Sequence, residues 1–390
     1  MKWDNSPVYR RRRRAVAALA VLLVLTLWAM VLLVRKAFDD EPPAAEPAQT
    51  TAPAPGSAPS GRPSATPTPD PRTETPRTPR TGKAEAVTLA FGGDTNADRS
   101  AGRINEVGLG ETGKVLARAD LAMVNLETVV AADRSGLVAQ PKQYAFVTGP
   151  QVLDRLKADG VDVVTAANNH SMDFGAKGME RMLQVKATSP VPIVGIGKDA
   201  AEAWSPWTTE VKGRKVVVFG ATDVLEDHLD WKATETAAGL AKVRDEDGFT
   251  RLLDGVRQAR QASPDDVVVV YLHSGIEKVR CPTDRQKSTF ERLTAAGADL
   301  VIGSHAHITQ TTGTRGDSAF AYGMGNFVFA AGSPETSATG VLTVTVPGGP
   351  GAPTMDWAPA RITMGVPMLL SGAERDKALA TWKTRGDGCS

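Results

Sequence analysis

From Ala15 to Val34 the chain runs for twenty residues without a charge. At about 1.5 Å per residue, a helix of that length spans about 30 Å, the thickness of a bilayer's hydrocarbon core. Few soluble structures can use such a segment. A core helix of an ordinary domain keeps a polar face, and this run has none. A cleavable signal peptide has an apolar region of about 7–15 residues and then a small-x-small site. Here Arg35, Lys36, Ala37 and Phe38 follow instead. An uncleaved transmembrane helix over 15–34 is therefore expected. Arg10–Arg14 outweigh Arg35 and Lys36. Residues 1–14 should then form a basic cytoplasmic tail, with the rest of a single-pass membrane protein outside the cell membrane.

Residues 35–84 are dominated by Pro, Thr, Ala and Ser. Such a stretch buries too little apolar surface to offset its ordering entropy, so it is expected to be disordered. Its prolines make it a semi-rigid spacer, either a stalk or an unselective linker. A main domain is expected over 85–365 and a short, partly helical tail over 366–390. Net charge is only +1, which offers no nucleic-acid signature. Cys281 and Cys389 lack C-x-x-C spacing, which argues against a zinc knuckle or a thioredoxin-like site. An exported domain permits one disulfide between them, and two unrelated thiols are equally open.

Within the main domain, short apolar runs alternate with amphipathic segments. Val87–Phe91, Leu121–Asn125, Val161–Thr165, Ile193–Ile196, Lys215–Gly220, Val267–Leu272 and Leu300–Gly303 read as buried strands. Gln151–Asp159, Gly175–Lys186, Asp247–Ala262 and Thr283–Ala296 read as helices. The alternation implies an α/β fold with much parallel sheet. Ala319–Phe329 and Gly340–Val346 read as later strands without a helix between them, hence an antiparallel portion or a second sheet.

Ligands of open α/β sheets bind beyond the carboxyl ends of the strands. Four of the five histidines fall there: His170, His273, His305 and His307. His228 reads as an ordinary surface loop residue. In Gly303-Ser304-His305-Ala306-His307, two imidazoles two residues apart can point into one cavity and ligate one or two metals. Gly92-Gly93-Asp94-Thr95-Asn96 supplies a carboxylate and an amide oxygen, its glycines permitting a sharp turn. An ordinary Asp–Asn turn explains the same residues. Glu127, after Asn125, can bridge two cations or merely begin a surface loop. His170 beside Asn168 and Asn169 can protonate a leaving group or contact a phosphate, with Asp173 orienting its ring. Helix capping is a compatible role for that segment. His273 is an odd choice for packing and reads as a metal ligand, with Glu277 nearby either supporting a ligand or facing a substrate. Mixed Asp, Asn and His donors suit two divalent ions such as Mn²⁺, Zn²⁺ or Fe. Such ions activate water for hydrolysis.

The succession GGDTN, NLET, ANNHSMDFG, HSGIE, GSHAH and YGMGNFVF over residues 86–331 resembles the CapA family of poly-γ-glutamate capsule biosynthesis proteins, related to calcineurin-like metallophosphoesterases. The resemblance implies a four-layer α-β-β-α sandwich. It implies a di-metal centre on Asp94, Glu127, Asn169, His273, His305 and His307, with His170 catalytic. Asn125, Asn168, Asp173, Glu277 and Asn326 match further motif positions. Departures are visible. The phosphoesterase Asp-x-His is Asp94-Thr95-Asn96 here, leaving Asn96 as the candidate ligand. Asn125-Leu126-Glu127 stands where phosphatases have Gly-Asp, and Ser274 follows His273 where an aromatic is frequent.

Two functions are compatible with this pattern. One is a metal-dependent hydrolase outside the membrane, acting on a phosphoester or an anionic polymer. The other is a non-catalytic, polymer-binding component of a capsule synthesis or export complex. The implied partners are the membrane, such a substrate and other capsule-biosynthesis proteins, and not nucleic acid.

Overall fold

The structure, a computed structural model, describes residues 78–224, 229 and 231–389. The expected basic tail, transmembrane helix, most of the linker and His228 lie outside the described residues. Among those described, no helix is long and apolar enough to cross a membrane.

The described chain is an α/β fold built on two mixed sheets. The first contains β1 (Val87–Thr95), β2 (Leu121–Leu126), β3 (Val163–Thr165) and β4 (Ile193–Val194). The second contains β5 (Trp207–Val211), β6 (Arg214–Thr222), β7 (Val267–Ser274), β8 (Leu300–His305), β9 (Thr312–Arg315) and β10 (Ser318–Ala321). The chain then returns to the first sheet with β11 (Asn326–Val328), β12 (Ala338–Val346), β13 (Thr354–Thr363) and β14 (Val366–Leu369). The first sheet runs β14-β13-β12-β1-β2-β3-β4, with β11 also pairing β1; the second runs β9-β10-β8-β7-β6-β5. Pairings from β1 to β4 and from β6 through β7 and β8 to β10 are parallel. Those of β12, β13 and β14 are antiparallel, as expected for Gly340–Val346. Ala319–Phe329 instead splits into β10 and β11, parallel to β8 and β1, and a short helix, Pro334–Ser337, precedes β12.

Alternation along each strand sets the layers. Leu89, Phe91, Met123, Val269, Tyr271 and Ile302 meet in the core between the sheets. Their neighbours face outward, where helices cover both sheets. Over the first sheet lie α1 (Gly110–Leu116), α2 (Gln151–Ala158) and α3 (Gly175–Lys186). Over the second lie α4 (Glu246–Ala262) and α5 (Asp284–Ala295). Burial on both faces is why Val267–Val270 reads as an unbroken apolar run. Thr283 starts α5 with a capping box to Gln286.

Two expected boundaries shift. Arg80, inside the presumed linker, is buried and ion-paired with Asp299, which also pairs with Arg260. An arginine buried among such partners belongs to the folded unit. At the other end β14 extends the first sheet past residue 365. Helix α6 (Gly372–Lys383) then packs Leu379 and Trp382 onto the core between the sheets, Trp382 stacking on Trp357.

The chain closes with a disulfide, Cys281–Cys389, across 108 residues. Arg280 donates to the Asp387 carbonyl at 2.9 Å beside it, and Arg385 to Thr309 Oγ1 at 2.8 Å. The terminal segment thus binds the loops that follow β7 and β8. Closing a loop of that size restricts the unfolded chain, so Cys389→Ser is expected to lower unfolding stability by about 2–5 kcal/mol. Urea titrations with and without reductant check this. The variant should be insensitive to reductant and the wild type should not.

Candidate metal centre

Parallel register brings the carboxyl ends of the central strands to one edge. Asp94 pairs in register with Asn125 and with Asn326, and His273 with Ser304. Asp94 and His273 lie within β1 and β7 rather than just beyond them. Both strands outlast their apolar runs because their polar ends are buried too.

Gly92 and Gly93 serve close approach, not a left-handed turn. A Cβ on Gly93 would lie 1.9 Å from the Gly325 carbonyl oxygen, and one on Gly92 2.9 Å from the Phe327 ring. The β1–β2 register slips between Phe91 and Asp94. This irregularity re-aims the Asp94 side chain. At the end of β8, His305 and His307 take φ of 88° and 55°. Left-handed backbone is uncommon for residues with a Cβ. Its occurrence at both histidines concentrates strain where the two imidazoles are directed.

The side chains meet at the junction of the sheets. Glu127, His273 and His305 form one potential donor triplet; Asp94, Glu127 and His307 form a second. Within each, the ligand atoms lie within 4.8 Å of one another. Glu127 belongs to both. His273 Nε2 stands 3.4 Å from Glu127 Oε1, 3.1 Å from His305 Nδ1 and 2.8 Å from Asn169 Oδ1. His307 Nδ1 stands 3.3 Å from Asp94 Oδ2. Glu277, half exposed, faces His307 Nε2 at 4.0 Å. Asn96 is buried, but its Oδ1 accepts from the Asp98 amide at 2.8 Å, closing the local turn anticipated for Asp–Asn sequences.

Amides hold this arrangement. Asn125 Nδ2 donates to Asp94 Oδ1 at 2.9 Å and lies 3.2 Å from His273 Nδ1. Asn168 Nδ2 in turn donates to Asn125 Oδ1 at 3.0 Å and to the Leu126 carbonyl at 2.9 Å. Ser304 Oγ also reaches His273 Nδ1, at 2.8 Å. His273 thereby presents Nε2 to the cluster. Asn326 Oδ1 sits 2.8 Å from His307 Nδ1. Asn168 does not cap α3, whose N-cap is Phe174; its Oδ1 accepts from the His170 amide instead.

His170 faces the same centre. Asp173 Oδ2 lies 2.8 Å from His170 Nδ1, and His170 Nε2 lies 4.0 Å from Glu127 Oε1. Phe146 packs on the His170 ring at 4.5 Å, and Phe329 on His307 at 4.9 Å. Sequence reading missed these aromatics and Lys142, described below. Phe329 did lie inside a quoted motif, but nothing in the sequence separates a wall of the site from ordinary core.

Electrostatics identify what the cluster lacks. Burial, and then the Asp94 carboxylate, push Glu127 well above the usual carboxylate range. Both Glu127 oxygens are buried without a hydrogen-bond partner. Burial and the neighbouring His305 and His307 hold His273 well below the usual imidazole range. Burial would also lower His307, but Glu127 and Asp94 outweigh it and raise it to about 10. A proton on His307 is thus a partial substitute for positive charge that the carboxylates demand. An orphaned, fully buried carboxylate facing imidazole nitrogens fits divalent cations. Asp94, Glu127, Asn169, His273, His305 and His307 would hold them.

Comparison with known proteins agrees with this reading of the motifs. The family model described as "Bacterial capsule synthesis protein PGA_cap" matches residues 88–331. "PGA biosynthesis protein CapA" of Bacillus subtilis (strain 168) is 26% identical over 271 residues, covering 68% of this chain and 69% of its own. "Capsule biosynthesis protein CapA" of Bacillus anthracis is 25% identical over 315 residues, covering 77% and 74%. A solved structure described as a novel phosphatase of Mycoplasma pneumoniae is 13% identical, covers 75% of this chain and 97% of its own, and has a TM-score of 0.43.

Proposed function

This chain belongs to the bacterial capsule synthesis protein family PGA_cap, and on that footing we propose that it is a metal-dependent hydrolase acting outside the cell membrane on an anionic polymer or phosphoester linkage of the envelope. The observation that carries the reading is the buried carboxylate of Glu127, unpartnered and common to two donor triplets. The uncharged run Ala15–Val34 supports the anchor. Relatives named for PGA and capsule biosynthesis support a polymer substrate.

Two divalent cations, when bound, activate water and neutralise a developing oxyanion. The chain's own residues supply the rest. Glu127 would be shared by the two, with His273 and His305 holding one and Asp94 and His307 the other, and Asn169 adding an amide oxygen beside His273. Asp173 engages His170 Nδ1. That leaves Nε2 facing the centre, where it would exchange a proton with substrate, burial holding the imidazole below its ordinary pKa against the pull of Asp173. Phe146 and Phe329 pack on the His170 and His307 rings. Glu277, half exposed beside His307, would meet substrate.

Metal analysis of the purified full chain, with bis(p-nitrophenyl) phosphate as a generic diester, tests the proposal. His305→Ala is expected to lose bound metal and turnover together. Bound metal without turnover on any phosphoester would favour the polymer-binding function instead.

A further inference from the structure

Lys142 has no place in the donor set, yet it is packed against it. Its side chain is only 4% exposed. Its Nζ donates to the Asn169 carbonyl at 2.6 Å and meets Asp173 Oδ1 at 2.8 Å. The ammonium also lies 5.7 Å from the Trp231 ring centroid. Lysine is seldom buried unless paired. Here its partners among the described residues include the backbone of a candidate metal ligand and the carboxylate that orients His170.

The residues around it act on the same turn. The Gln140 amide donates to the Asp173 carbonyl at 2.7 Å, and the Phe146 amide to Asp173 Oδ2 at 2.7 Å. Phe146 also lays its ring on His170. Segment 140–146 therefore grips the turn 169–173 from outside the metal cluster, with Lys142 bonded to both ends of that turn.

We propose that Lys142 is a positioning residue, whose ammonium ties the Asn169 backbone to the Asp173 carboxylate and so fixes in one geometry both the amide that faces His273 and the imidazole that faces Glu127. The proposal rests on the metal-centre reading above. It adds that the centre is incomplete without segment 140–146. Contacts that orient a ligand change metal affinity about 10–100-fold when removed. Without the ammonium, the Asn169 amide loses its fixed approach to His273 Nε2, and Asp173 keeps only its Oδ2 partners.

The test is Mn²⁺ affinity by calorimetry, together with the visible spectrum of the Co²⁺-loaded full chain, for wild type, Lys142→Met and Lys142→Gln. Far-UV circular dichroism checks folding. Lys142→Met is expected to bind Mn²⁺ at least about tenfold more weakly and to shift the Co²⁺ bands. Lys142→Gln keeps a donor for the Asn169 carbonyl and should fall between. If Lys142→Met fails to fold, the Gln variant decides alone. Wild-type affinity and spectrum in a folded variant would overturn the positioning role and leave the metal centre standing. Absence of Mn²⁺ and Co²⁺ binding by the wild type would sink the metal centre itself, and this role with it.

Discussion

Glu127→Gln is expected to weaken Mn²⁺ binding by at least about a hundredfold while making the metal-free protein more stable by about 1–3 kcal/mol. The two effects have opposite signs because one group causes both. In the metal-free fold, Glu127 is a buried carboxylate with no hydrogen-bond partner on either oxygen. Burial, with Asp94 beside it, raises its pKa well above the ordinary value. Below the ordinary carboxylate pKa, Glu127 is neutral in folded and unfolded chains alike. As pH rises, the unfolded chain ionises it freely while the fold resists. The contribution of Glu127 to stability is therefore full in acid and is lost as pH rises toward the folded pKa. Glutamine keeps the shape and removes that loss. It also removes the one carboxylate common to both donor triplets. Denaturation in EDTA at pH 5 and pH 8, paired with calorimetry, checks both effects. The stability gain should be larger at pH 8. A variant that binds Mn²⁺ like the wild type would contradict the bridging role.

His170→Ala is expected to keep metal and lose turnover by about 10²–10⁴-fold, the usual worth of a positioned general acid. The imidazole presents Nε2 to the centre while Asp173 holds Nδ1. It supplies no atom to either donor triplet. Metal content and turnover should therefore separate in this variant and fall together in His305→Ala. Equal metal loss in the two variants would overturn the division of roles. Unchanged turnover in His170→Ala with metal retained would remove His170 from the chemistry.

Much of the site is legible in the sequence because parallel sheets converge on one edge. A histidine after an apolar run in such a fold has a predictable position. His273 and His305 follow that logic, and so do Glu127 after β2 and His170 after β3. Strand lengths were less readable. Asp94, His273 and His305 are buried polar residues inside strands. A hydrophobic pattern stops at the first polar residue, so it ends those strands early. The glycines before Asp94 read in the sequence as a turn. Their reason is the neighbouring strand, and a contact between residues 93 and 325 leaves no local trace.

Other features were invisible for the same kind of reason. Lys142 stands in a stretch with Pro141 and Gln143 that reads as exposed loop. Only the fold reveals that Asp173 and the Asn169 carbonyl close over it. Arg80 reads as one more basic residue of a proline-rich linker until Asp299, far along the chain, is found beside it. The pairing of Cys281 with Cys389 likewise depends on where the terminal segment returns, which spacing does not encode.

The most direct test of the shared-carboxylate centre is anomalous diffraction from Mn²⁺-soaked crystals of the full chain. Two peaks are expected, one beside Glu127, His273 and His305, the other beside Glu127, Asp94 and His307. A map with no peak at Glu127, or with manganese bound only at surface carboxylates, would contradict the account.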